Sequence, residues 1–142
     1  DVCSCDLRMT AVTCCAGETQ IARVLEQAVA ETKLRKVNTL VFVGDCVEEG
    51  IDRLAALAGQ LGLRGTPAFI FHEGGEPVAR KAFEEIARLS GGAYCPFDAS
   101  SADVLRDLLA AVAAFAVGGR PALEDFGRRR GGAALQLTHR LR

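Results

Sequence analysis

A chain of 142 residues, 49% of them hydrophobic and 25% charged, is long enough to fold as one domain with a buried core. Its net charge of −1 gives no bulk attraction to nucleic acid or to anionic lipid, so no nucleic-acid partner is expected. No apolar run approaches the roughly 20 residues that span a bilayer, so we expect no membrane segment. The six cysteines are not laid out as in a disulfide-stapled small domain, which favours a cytoplasmic location.

Helix and strand patterns alternate along the chain. Apolar residues at helical spacing predict helices over about residues 19–34, 47–61, 77–90 and 102–117, and Gly118 and Gly119 are expected to end the last of them. Continuous apolar runs predict buried strands over residues 38–44, 66–71 and 93–97. Alternating residues from Leu135 to Leu141 predict a late edge strand. The expected fold is α/β: a three-layer α/β/α, Rossmann-like sandwich with a short, mainly parallel sheet.

The carboxyl edge of this sheet is the best candidate for a functional site, because open α/β sheets bind their ligands there. Asp45 follows the strand at residues 38–44, and the helix that begins at Thr19 starts at the same edge. Threonine and aspartate oxygens suit Mg²⁺, which prefers few protein ligands plus water. The alternative is that Thr19 only caps its helix and Asp45 only begins a turn. His72, Glu73 and Asp98 also follow strands and should share this edge, whereas Glu49 is expected in the first turn of the helix at residues 47–61.

Much of the chain resembles the latter half of a von Willebrand factor type A (VWA) domain. The resemblance rests on the order of TLVFVGDCVEEG (residues 39–50), RLAALAGQLGLRGTPAFIFHEGG (53–75) and AFEEIARLSGGAYCPFDASSADVLRDLLAAV (82–112). The segment AGETQI (16–21) is similar to the Gly-x-Thr segment that precedes a helix in that family. The stretch IARLSGGAY (86–94), with its double glycine and short aromatic strand, is especially similar.

The resemblance implies a non-enzymatic protein-interaction module of a bacterial, intracellular type. VWA domains commonly bind a protein partner through a divalent cation at a metal-ion-dependent adhesion site, and by position Thr19 and Asp45 match two of its ligands. The family's Asp-x-Ser-x-Ser turn and first strand are not recognisable, so the VWA-like chain is expected to be shortened at its N-terminus. This divides the chain into an N-terminal segment at residues 1–15, a VWA-like α/β domain at 16–119 and a basic C-terminal tail at 120–142.

Two other functions remain open from the sequence. Without the missing strand, residues 38–44 would present a bare apolar edge, which the N-terminal residues, the predicted strand at 135–138 or another chain must cover. The chain would then be a metal-independent assembly subunit, for instance a homodimer. Alternatively, Cys46 at the start of a helix could act as a redox or hydrolytic thiol, with His72 as its base.

Overall fold

The structure, a computed structural model, describes residues 20–98, 100 and 102–141. Over these residues helices and strands alternate as the sequence predicts, up to the last helix. The five helices and three strands are, in chain order, α1 (Ile21–Leu34), β1 (Leu40–Gly44), α2 (Ile51–Leu63), β2 (Ala68–Glu73), α3 (Pro77–Ser90), β3 (Ala93–Phe97), α4 (Ala102–Arg130) and α5 (Gly132–Arg140).

The three strands form a parallel sheet in the order β1-β2-β3. Leu40 pairs with Ala68, and Phe69 pairs with Ala93, so all three strands end at the same edge. β2 is buried on both faces along its whole length except at Glu73, which explains why its sequence is continuously apolar.

Helices cover both faces of the sheet. One core cluster joins α1, α2 and α3 to the face that carries Ala68 and Ile70. The other joins α4 and α5 to the face that carries Phe69 and Phe71. The predicted three-layer α/β/α sandwich with a short parallel sheet is therefore confirmed.

The ends of α3 show why the sequence predicts this helix well. Pro77 occupies the first turn, and the side chain of Glu76 accepts hydrogen bonds from the amides of Val78 (3.0 Å) and Ala79 (2.7 Å). The bond from Ala79 and then that from Val78 lower the pKa of the Glu76 carboxyl. Gly91 ends the helix with a φ of 82°, in the left-handed region that glycine enters at no steric cost.

α4 consists of two helical segments separated by a break. Gly119 has φ 70° and ψ −161°, and Pro121 begins the second segment. The predicted end of the fourth helix at Gly118 and Gly119 coincides with this break. A second helical segment then follows as far as Arg130.

The predicted edge strand at residues 135–138 is wrong, since this segment lies within helix α5. Ala134 and Leu137 are fully buried and Leu141 packs against the same cluster, a spacing of three and then four residues that matches a helix. A helix also satisfies its own main-chain hydrogen bonds, whereas a strand would need a partner at this place. The segment at 120–142 thus adds Leu123, Ala134 and Leu137 to the core below the sheet.

In the sheet formed by the described residues, β1 is an edge strand. Its residues are half-buried, and Val43 is 44% exposed, whereas β2 beside it is buried. Because α5 is a helix, the tail does not pair with this edge. The predicted segment at residues 1–15 lies outside the described residues. Within the described part of the chain, no helix combines the length and apolarity needed to cross a lipid bilayer.

Candidate functional site at the carboxyl edge of the sheet

Three carboxylates meet around one cavity where the strands end. Asp45 follows β1, Glu73 is the last residue of β2 and Asp98 follows β3. Together with Gly74, Pro96 and Phe97 they line an open cavity of about 760 Å³. The expectation that these acidic residues share the carboxyl edge is confirmed, and this edge is concave enough to receive a ligand.

Asp98 is held in place by the turn that leads into α4. Its Oδ1 accepts a hydrogen bond from the amide of Ser100 at 2.9 Å. Hydrogen bonds from the main chain and then from the side chain of Ser100 lower the pKa of the Asp98 carboxyl. A negative charge is therefore maintained on this side of the cavity at neutral pH.

His72 fixes the main chain of Asp45 from below the cavity. It lies in β2 with none of its surface exposed, its ring packed edge-on against Phe83 at a centroid distance of 5.0 Å. Nε2 lies 3.2 Å from the carbonyl oxygen of Asp45, and Nδ1 lies 2.8 Å from the hydroxyl of Tyr94. A carbonyl can only accept, so in the neutral ring Nε2–H donates to Asp45 and Nδ1 accepts from Tyr94.

The sequence predicted His72 at the edge but missed this role. Ile70 and His72 lie on the same face of β2 because side chains two residues apart share a face, and Ile70 pairs with Tyr94 in β3. That register brings the two polar side chains together. The pKa of the Tyr94 hydroxyl is raised, chiefly by its burial, which keeps the hydroxyl a hydrogen-bond donor at neutral pH.

Glu49 connects the start of α1 to the loop that carries Asp45. Its Oε2 accepts a hydrogen bond from the amide of Ala22 at 2.7 Å, in the first turn of α1. The prediction that Glu49 lies in the first turn of its own helix is wrong, because α2 begins only at Ile51 and Glu49 caps α1 instead. The start of α1 therefore lies beside the loop after β1, as the topology requires.

Only one of the two predicted metal ligands lies among the residues that the structure describes. Asp45 lines the cavity, whereas Thr19 lies outside the described residues. Among the described residues, no group of three or more His, Cys, Asp or Glu side chains is placed to hold a metal ion. Asp45, Glu73 and Asp98 thus share a cavity without forming a tight cluster.

The structure removes two grounds for a reactive thiol at Cys46. Because α2 begins at Ile51, Cys46 lies in the preceding loop and not at a helix N-terminus, where the helix dipole could activate it. The predicted base His72 directs one ring nitrogen to Tyr94 and the other to the main chain of Asp45. Both ring nitrogens of His72 therefore already take part in hydrogen bonds with Tyr94 and with the main chain of Asp45.

No family model, curated protein or solved structure matches this chain. The fold defines its class: a three-layer α/β sandwich with a parallel sheet. In such sheets the crevice beyond the carboxyl ends of the strands is the usual place for a ligand.

Proposed function

We propose that this chain is a cytoplasmic, non-enzymatic protein-interaction module resembling a VWA domain. The partner binds at the carboxyl edge of the sheet, over the cavity lined by Asp45, Glu73 and Asp98. The observation that carries the proposal is this cavity, because it collects one carboxylate from the end of each of the three strands.

The shape and chemistry of the cavity support recognition more than catalysis. It is open and about 760 Å³ in volume, and the buried His72 below it uses both ring nitrogens for structural hydrogen bonds. The His72 ring is therefore not directed at the cavity as an acid or base. A negatively charged concave edge favours a partner that brings positive charge, either its own or that of a shared cation.

The cation in this proposal is Mg²⁺, with Asp45 and Thr19 as its protein ligands. Carboxylate and hydroxyl oxygens have the right chemistry, and Mg²⁺ keeps several waters when few protein ligands are available. Glu49 supports this assignment, because its bond to Ala22 holds the start of α1 beside the loop that carries Asp45. The protein partner would bind through this cation, as the resemblance to VWA domains implies.

Thermal unfolding with Mg²⁺ as the only added ligand tests this proposal. At a free Mg²⁺ concentration ten times the dissociation constant, binding stabilises the folded state by about 1.4 kcal/mol. With an unfolding entropy of roughly 2.1 cal/mol/K per residue, this raises the melting temperature of a 142-residue chain by about 5 °C. The Asp45→Ala and Thr19→Ala variants should each lose this rise.

The matched control is Glu31→Ala. Glu31 lies in the last turn of α1, at the opposite edge of the sheet, where its carboxylate pairs with Arg35 at 3.2 Å. This variant removes an acidic side chain of the same helix but should keep the full response to Mg²⁺. A wild-type protein that melts at the same temperature with Mg²⁺ and with an equal ionic strength of NaCl would contradict the metal site.

A further inference from the structure

A second cavity lies beside β3, between the helices that cover the two faces of the sheet. It has a volume of about 320 Å³ and is lined by residues of α3, of β3 and of the end of α5: Glu84, Ala87, Tyr94, His139, Arg140 and Leu141. Because α3 packs on one face of the sheet and α5 on the other, the cavity extends around the outer edge of β3. It shares no lining residue with the cavity at the carboxyl edge.

The outer edge of β3 directs main-chain groups toward this side. The carbonyl of Phe97 accepts a hydrogen bond from the amide of Gly74 at 3.3 Å, so the main chain of Phe97 is directed toward β2. Successive residues of a strand direct these groups to alternate sides, so those of Tyr94 and Pro96 are directed away from β2. In the sheet of the described residues no strand lies on that side, and Pro96, which has no N–H, disfavours the addition of one. This edge therefore suits a small molecule better than a further strand.

Charges of both signs line the cavity. Arg140 contributes a guanidinium group, and none of the carboxylates that the structure describes forms a salt bridge with it. Glu84 contributes a carboxylate that is 44% exposed, and its Oε1 pairs with Nε of Arg80 at 3.0 Å, which leaves Oε2 for a ligand. Burial has the largest effect on the pKa of Tyr94, which it raises, and Arg80, Glu84 and Arg140 also act on it. Both signs of charge therefore act at the same tyrosine.

We propose that this cavity binds a free α-amino acid with an apolar side chain. The carboxylate of the ligand accepts hydrogen bonds from the guanidinium of Arg140 and from the main-chain N–H of Tyr94. Its ammonium group donates to the carboxylate of Glu84 and to the main-chain carbonyl of Tyr94. Ala87 and Leu141 provide apolar surface for the side chain of the ligand.

The size of the cavity and the chemistry of its lining both fit this ligand. A volume of about 320 Å³ lies at the lower end of the range for small-molecule sites. An α-amino acid carries one charge of each sign on a single carbon atom, as the opposed charges of Glu84 and Arg140 require. The end of a peptide chain would bring only one of these two charges.

Amide NMR spectra of the full 142-residue chain, recorded during a titration with L-leucine, test this proposal. The signals of Ala87, Tyr94 and Leu141 should shift first and reach saturation. Two analogues each lack one charge: 4-methylpentanoate has no ammonium group, and 3-methylbutylamine has no carboxylate. Each analogue should bind at least about tenfold more weakly than L-leucine, because one side of the cavity then has no ionic partner.

Substitutions in the cavity test the same two contacts from the side of the protein. Arg140→Gln and Glu84→Gln should each weaken the binding of L-leucine at least about tenfold. Both side chains are at least partly exposed, so the fold should tolerate these changes. The matched control is Glu85→Gln, at the next residue of α3, whose carboxylate pairs with Arg88 at 2.6 Å and does not line the cavity. This variant should keep the affinity of the wild type.

Three results would overturn the proposal. An affinity for 4-methylpentanoate equal to that for L-leucine would replace the amino acid with a simple anion. Shifts centred away from β3 and the end of α5, or no saturable shift at millimolar L-leucine, would exclude the site. A loss of affinity in Glu85→Gln as large as that in Glu84→Gln would show that the effect does not arise in this cavity.

Discussion

The hydrogen bond between Tyr94 and His72 gives the sharpest prediction for stability. Tyr94→Phe keeps the ring but removes the hydroxyl, so Nδ1 of the fully buried His72 loses its donor at 2.8 Å. An unsatisfied buried polar group costs about 1–3 kcal/mol. For a chain of 142 residues, this corresponds to a fall in melting temperature of roughly 3–10 °C.

Urea unfolding followed by circular dichroism measures this loss, and a double-mutant cycle assigns it. The His72→Leu background removes the acceptor that the hydroxyl has in the wild type, so the further change Tyr94→Phe should cost at least about 1 kcal/mol less there than it does in the wild type. An equal cost in both backgrounds, or a cost below about 0.5 kcal/mol in the wild type, would refute the role given to this pair.

Three further changes test the supports of the site and of the fold. Glu49→Ala should lower the free energy of unfolding by about 1 kcal/mol in urea melts, because it removes the cap of α1, whereas Glu48→Ala, an exposed neighbour, should change it little. Gly92→Ala should lower the melting temperature strongly, because the added Cβ would overlap the carbonyl of Ala68. The pKa of Glu76 is lower in the folded than in the unfolded state, so its ionised carboxylate stabilises the fold above about pH 4.5, and this stabilisation is lost as the pH falls through the lowered pKa. The melting temperature of Glu76→Gln should therefore fall less on acidification than that of the wild type.

Local signals were sufficient to predict the central elements of the fold. The sequence of β2 is continuously apolar because both faces of the strand are buried, and a run this short is typical of a buried strand. α3 begins at Pro77 and ends before Gly91, so its two boundaries are encoded by residues with strong positional preferences. Asp45 could be assigned to the carboxyl edge because parallel topology requires it.

The sequence could not predict features that depend on contacts between distant segments. Helix α2 begins at Ile51 and not at residue 47 as the sequence predicts. In the loop before it, the side chain of Glu49 accepts a hydrogen bond from the first turn of α1. In the tail, leucines at 135, 137 and 141 fit both a strand and a helix, and burial of Leu137 against the core selects the helix. The bond between His72 and Tyr94 depends on the register of β2 and β3, which no local pattern specifies.

Paramagnetic broadening by Mn²⁺ tests the cation site at the carboxyl edge most directly, since Mn²⁺ takes the same oxygen ligands as Mg²⁺. In amide NMR spectra of the full chain, substoichiometric Mn²⁺ should first broaden the signals of Asp45 and Gly74, which lie at the cavity. The signal of Gly65, before β2 at the opposite edge, should persist longest, and excess Mg²⁺ should reverse the effect. Broadening centred elsewhere, or none before general loss of signal, would contradict a cation site at the carboxyl edge.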